Sequence, residues 1–369
     1  MKRLSFIFLL TMIFVANVCG QTVVKDADSG LPVMLASVYD DEGTLLGLTD
    51  EEGLLPKLGG SRSLRITHVA YKPLQCDVGR LPKELKMEPV EMNVGEVVID
   101  KPKSYCMKLT GFFRNLELNN DTTGRQKKLS WGKVPVLLHE YGIKSFYVFL
   151  DGNKVTREFL RGLVVDVKHK ELPVFSPDLE RMPYITKLKE GGKYEFRGDD
   201  LSCEIYSLAD GKKHGQVVAD TVRQIIRCDF SAILKDSVRS GHVMFVPYTV
   251  SNDSYSAVYK MSPYGNLSQS NLVVHKESSK ITLKVFGVLF DYWMQGEFYP
   301  FDVQFLTKDE YKADIKQWKQ DLKEGRIWRA KDIEECGSKL GVPPLPEEVS
   351  EMIERSKRLV KEYESKEKK

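Results

Sequence analysis

The sequence predicts a mainly β protein with a helical C-terminal tail, in which an N-terminal β-sandwich is followed by a larger antiparallel β domain. Three observations carry that prediction. Short alternating runs separated by Asp- and Gly-rich turns fill residues 21–99. Hairpin dipeptides such as Asp151-Gly152 and Asp210-Gly211 punctuate 105–306. After Thr307 the apolar spacing changes from alternation to a helical period of about 3.6 residues. The expected organisation is a signal peptide at 1–20, the sandwich at 21–99, a linker at 100–104, the β-rich domain at 105–306 and a helical region at 307–369.

The first twenty residues read as an export signal. Lys2 and Arg3 give a positive start, and Leu4 to Val15 is apolar apart from Ser5 and Thr11. That run suits a signal core and is too short to span a membrane stably. Val18 and Gly20 suit cleavage after Gly20, which leaves Gln21 as the first mature residue. Cys19 offers a rival reading as an acylated residue, although Val18 is larger than lipid attachment prefers just before the cysteine. The expected location is the periplasm or the outer-membrane surface. Later segments supply no transmembrane span: the most hydrophobic, Ile281 to Phe290, is broken by Lys284 and Gly287.

Charge and cysteine content narrow the function classes. The formal charge of +3 falls to +1 once Lys2 and Arg3 leave with the signal, so nothing suggests a nucleic-acid partner. Five cysteines then remain, none at CxxC spacing, which leaves zinc and redox motifs unsupported. Cys203 and Cys228 flank an expected hairpin and are candidates for a disulfide; buried free thiols are the plainer alternative.

In the leading unit, Val23 and Val24 open a strand and Asp26 to Gly30 form a turn, with Pro32 starting the next extended segment. Ala36 and Val38 share a face. Turns at Asp40 to Gly43 and Asp50 to Gly53 bracket a strand at Thr44 to Thr49. Leu64 and Ile66 alternate with Arg65 and Thr67, as do Val90, Met92 and Val94 with their neighbours. The motifs Val24-x-Asp26, Gly30-x-Pro32, Ala36-x-Val38, Gly47-x-Thr49-Asp50-Glu51-x-Gly53 and Val69-Ala70-Tyr71 resemble the carboxypeptidase regulatory-like domain. The resemblance covers about a fifth of the chain. It departs from the family at Ala70, usually Gly, and at Leu54 and Leu55, which replace a common aromatic. It implies an immunoglobulin- or transthyretin-like sandwich of about seven strands. Such modules occur in envelope proteins of Bacteroidetes-type bacteria, including TonB-dependent receptors, and carry no peptidase chemistry. Asp40, Asp41, Asp50 and Glu51 are oxygen donors of the kind calcium takes, but turn chemistry explains them more simply.

The middle region reads as eight to ten strands. Lys144 to Leu150 and Lys154 to Phe159 form a hairpin across Asp151-Gly152. Lys193 to Arg197 follows Gly191-Gly192, and Glu204 to Leu208 precedes Asp210-Gly211. Further strands are expected at Val243 to Val250, Leu272 to His275, Lys280 to Phe290 and Phe301 to Phe305. Mixed charge on the strands and a helical, lysine-rich end argue against an outer-membrane barrel. Aromatics gather between Phe290 and Phe305. Tyr292, Trp293 and Tyr299 are the candidate ligand-binding rings, because flat rings stack on sugar faces; core packing is the commoner use of such a cluster.

The tail opens with a capping box, Thr307-x-x-Glu310, and a staple between Leu306 and Tyr311. Tyr311, Ile315, Trp318 and Leu322 line one side of the first helix, which Gly325 ends. A second helix is expected over Ala330 to Leu340. Pro346 begins a third, whose apolar side is Val349, Ile353, Val360 and Tyr363.

No nucleophile elbow, His-Glu-x-x-His helix or phosphate-cradling glycine loop occurs. His68, His139, His169, His214, His242 and His275 are scattered, and His139-Glu140 has no matching second ligand pair. No catalytic, cofactor-binding or metal-binding residue is assigned. The expected function is therefore a non-enzymatic envelope protein acting in protein interaction or assembly. A glycan-binding protein using the region near Trp293 and an unrecognised hydrolase built on carboxylates that meet only in space are the alternatives.

Overall fold

The computed structural model describes residues 22–92, 104–120, 134–149, 157–168, 188–189, 191–199, 201–234, 237–243, 246–262, 267–285 and 288–367. The expected signal at 1–20, the Asp151-Gly152 turn, and all of the expected linker except Ser104 lie outside them. The fold is mainly β, with a helical C-terminal tail.

Turn chemistry builds the N-terminal unit. The Asp40 carboxylate accepts from the amides of Glu42 and Thr44 at 2.9 and 2.8 Å, and Asp50 accepts from Leu54 at 2.8 Å. Gly53 holds φ +76°, and a Cβ there would lie 2.5 Å from the Val24 carbonyl oxygen, so only glycine closes this turn. The turns connect β1 (Val23–Asp26), β2 (Ser37–Tyr39), β3 (Leu45–Leu48), β4 (Ser63–His68), β5 (Tyr71–Asp77) and β6 (Glu84–Met87). An antiparallel sheet in the order β3-β2-β4-β5 faces a parallel β1–β6 pair. Val24, Val38, Leu64, Ile66, Leu85 and Met87 fill the space between the layers.

Among the described residues, the large antiparallel sheet has eleven strands. They are β7 (Cys106–Asn119), β8 (Val136–Phe149), β9 (Arg157–Lys168), β10 (Tyr194–Gly198), β11 (Cys203–Ser207), β12 (Lys213–Asp220), β13 (Ile225–Ile233), β14 (Arg239–Val243), β15 (Val246–Lys260), β16 (Leu272–Val285) and β17 (Val288–Leu306). Their order is β10-β11-β12-β13-β15-β16-β17-β7-β8-β9, with β14 added on β15. One face carries Leu109, Phe146, Ile205, Cys228, Ala257 and Phe298, all at 2% exposure or less. Among the described residues, neither the N-terminal unit nor the three helices of the C-terminal tail contribute to that cluster. The sheet therefore coils and covers its own inner face, as a strongly twisted sheet of this size does.

Three expected strands resolve differently: Val90 and Met92 lie in no strand, with Val94 outside the described residues, and two longer runs contain reversals. Val243 to Val250 is the junction of β14 with β15, and Lys280 to Phe290 is the β16–β17 hairpin. The run Val243-Met244-Phe245-Val246 carries no turn residue, and Gly287 alone marks the second reversal.

The tail follows its caps. α1 (Lys308–Lys323) has the Thr307–Glu310 capping box in both directions. Leu306 and Tyr311 pack together with Cys106 and Tyr147 as the staple requires. The Asp314 carboxylate ties α1 to the sheet by accepting from Tyr147, Lys108 at 2.9 Å and Arg161 at 3.1 Å. α2 (Ala330–Lys339) sets Ile333 on Phe112 and Ile143. α3 (Glu347–Glu367) packs Val349 and Ile353 with Leu116, Leu118 and Val136 of the sheet and with Tyr39 and Leu45 of the N-terminal unit. Its first turn also meets that unit at Arg65–Glu348, 3.0 Å.

Candidate functional site

The N-terminal unit lies on the outer face of the coiled sheet, and the contact is charged and buried. Strand alternation makes it. On β13, Ile226, Cys228 and Phe230 point inward, so Arg227 and Asp229 point out toward the N-terminal unit. On β16 the same alternation turns Lys276 outward, on β17 Gln295 and Glu297, and on β7 Arg114. The N-terminal unit meets them with Asp26, Ser37, Tyr39, His68 and Tyr71.

His68 Nε2 lies 3.0 Å from Asp229 Oδ1, with the two side chains 1% and 0% exposed. Arg227 Nε approaches Asp229 Oδ2 at 3.0 Å as an ion-pair contact without hydrogen-bond alignment, and its NH1 is 3.7 Å from Asp26 Oδ2. Tyr71 donates to Asp26 Oδ2 at 2.6 Å and presents its ring to the Arg227 guanidinium, 5.1 Å away. Beside this group, Tyr39 donates to Gln295 at 2.7 Å and Lys276 donates to Ser37 Oγ at 3.0 Å. Arg114 donates to Glu297 at 2.5 Å and to the Pro343 carbonyl at 3.0 Å, tying in the proline connector ahead of α3.

Burial and charge pull in opposite directions here. Burial pushes the Asp229 and Glu297 carboxyls up, but their cationic neighbours hold both below the usual range. Burial lowers Lys276, and burial with the nearby Arg227 and Lys276 charges lowers His68 against the Asp229 carboxylate, which raises it. A void of about 50 Å³ lies among His68, Arg114, Glu297 and the proline connector, room for one or two waters. A second cavity of about 220 Å³, bordered by Asp50, Asn252, Lys280 and Trp293, also lies between the unit and the sheet.

The residues singled out from sequence scatter. Tyr292 faces inward with Phe290 and Met294, whereas Trp293 faces outward and is buried against Leu118 and Val349. Tyr299 also faces outward and donates to Glu297 at 3.3 Å. Adjacent residues of a strand point to opposite faces, so these three rings form no common stacking platform. Cys203 and Cys228 are free thiols, not a disulfide. Both are in register with Val217, one on each side of β12, so two strand spacings of about 4.8 Å separate their backbones, beyond disulfide reach. Asp50, Glu51 and Glu52 bring their carboxylates within 4.8 Å of one another, and Asp50 is occupied by its turn. Of the other calcium candidates, Asp40 is taken by its own turn and Asp41 pairs with Arg62. His139 and Glu140 part company: His139 faces outward to Asp166 at 2.9 Å, while Glu140 accepts from Asn115 on the inner face.

Inside the coil, burial and the neighbouring Glu140 push the Glu117 carboxyl up to about 8, and its Oε1 has no hydrogen-bond partner. Sequence reading missed Glu117 and the outer charged set alike. The available signal was the alternation of charge with apolar residues inside strands, as in Ile226-Arg227-Cys228-Asp229-Phe230.

No protein-family model matches the chain, and no curated protein matches it. Among solved structures, it is similar to a Bacteroides fragilis NCTC 9343 protein provisionally described as membrane-associated and of unknown function. The identity is 10%, over 76% of this chain and 96% of that one, with a TM-score of 0.14, a likeness too slight to carry an argument. Among the described residues, no helix is long and apolar enough to cross a membrane.

Proposed function

We propose that the chain is an exported cell-envelope protein, led by a carboxypeptidase regulatory-like module, that works without catalysis in protein interaction or assembly. The observation that carries this reading is the use made of the charged groups between the unit and the sheet. Asp26, Asp229, Glu297, Arg227, Arg114 and Lys276 are engaged with one another or with the N-terminal unit. Arg114, Lys276 and Glu297 border a void of about 50 Å³. Such an arrangement fixes one unit on another, and its charged groups are spent on that contact. α3 reinforces it by touching both. The product is a stiff body whose open surfaces are what a partner meets.

The test is cross-linking in intact envelopes followed by mass spectrometry of the mature chain, run beside hydrolase assays on glycoside, ester and peptide substrates. The reading expects a mature start at Gln21, a reproducible partner at fixed stoichiometry and no turnover. Turnover that disappears in Glu117→Gln would replace it with the hydrolase alternative, since Glu117 and Glu140 are the neighbouring carboxyls of the inner face.

A further inference from the structure

His68 sits where the two units meet, and its partners leave it one protonation state. Nδ1 accepts the Ala70 amide at 3.1 Å, so the ring proton resides on Nε2 and is donated to Asp229 at 3.0 Å. The groups facing the ring come from several elements. They are Asp229 and Arg227 on β13, Lys276 on β16 and Tyr71 on β5, whose ring centre is 5.3 Å away. Asp26 on β1 lies behind Arg227, and the Glu297–Arg114 pair lies beyond Lys276. Three carboxylates thus meet three cations, and the contact is electrically balanced only with a neutral imidazole. A second ring proton would point at the Ala70 N–H and would add an uncompensated charge at a buried contact, a costly arrangement.

We infer that His68 is an acid-sensitive latch: protonation of its ring and closure of the N-terminal unit on the coiled sheet exclude each other, so acidification opens the contact. Opening uncovers Ile225, Val258 and Val274, which lie buried on the outer face of the sheet. The direction of the His68 shift agrees. A histidine whose pKa is depressed in the closed form contributes stability that is complete above the ordinary value of about 6.5 and is lost as pH falls below it. The latch is independent of which partner the protein meets.

The test is amide exchange of the full mature chain at pH 7.5 and pH 5.0, corrected for intrinsic rate, with the Ala70 amide as reporter and β7–β8 amides as reference. His68→Gln supplies a control that keeps an acceptor and a donor and does not titrate. The wild-type opening equilibrium at Ala70 should rise by up to about 30-fold relative to the reference, the limit set by an open-state pKa of about 6.5. The variant should show no such change. An equal rise in both proteins, or no rise in the wild type, overturns the latch. Should the variant fail to fold, imidazole NMR of the wild type decides. The Nε2–H tautomer with a pKa below about 6.5 supports the latch, and a pKa at or above that value overturns it.

Discussion

Asp229 and Glu117 show at the scale of single residues how much the surroundings of a carboxyl decide. Asp229 is fully buried and stays charged because Arg227 and His68 flank it. Asp229→Ala leaves Arg227 buried with only the more distant Asp26, and removing one member of a buried pair costs about 3–5 kcal/mol. Urea denaturation at pH 7.5 should show a loss of that order. Glu117 is the converse case, a carboxyl near 8 with no cation to hold it down. Its pKa is raised on folding, so the folded state binds the extra proton between about 4.5 and 8 and stability falls as pH climbs through that window. Glu117→Gln should flatten this slope. The variant should match the wild type near pH 4.5 and exceed it at pH 9 by denaturation midpoint. Neither residue stands out in the sequence, where a charge in a strand reads as a solvent-facing position.

Elements were legible in proportion to how local their causes are. The capping box, the staple and the stop at Gly325 each act within a few residues of a helix end, and α1 begins and ends as they predict. Thr307→Ala should therefore cost about 1 kcal/mol and fray the first turn of α1, read as faster exchange at Glu310 and Tyr311. Leu322 departs from the expected stripe: it is 51% exposed, and Trp318 makes the last contact by donating to the Leu160 carbonyl and packing on Phe159. β13 was missed for a tertiary reason. Its outer face carries Arg227, Asp229 and Ser231, yet the N-terminal unit covers it, so both faces are buried and polarity no longer reports which side faces water. The same logic explains the aromatic group. Tyr292, Trp293 and Tyr299 cluster in sequence, but a strand distributes its neighbours between an inner core and an outer contact.

On the scale of the whole molecule, three β-sheets and the three helices of the tail pack against one another among the described residues. Sequence reading expects an accessory sandwich ahead of a larger β domain, joined by a linker. It carries no hint that the two meet through a buried charged contact, since Asp26 and Arg227 are two hundred residues apart. Nor does it show α3 bridging both units through Val349 and Arg65–Glu348. The central claim is that this contact makes the N-terminal unit and the coiled sheet a single cooperative structure. Calorimetry of the mature chain at pH 7.5 tests it most directly. The account predicts one endotherm whose van't Hoff and calorimetric enthalpies agree. Two resolved transitions, with the N-terminal unit melting apart from the sheet, would contradict it.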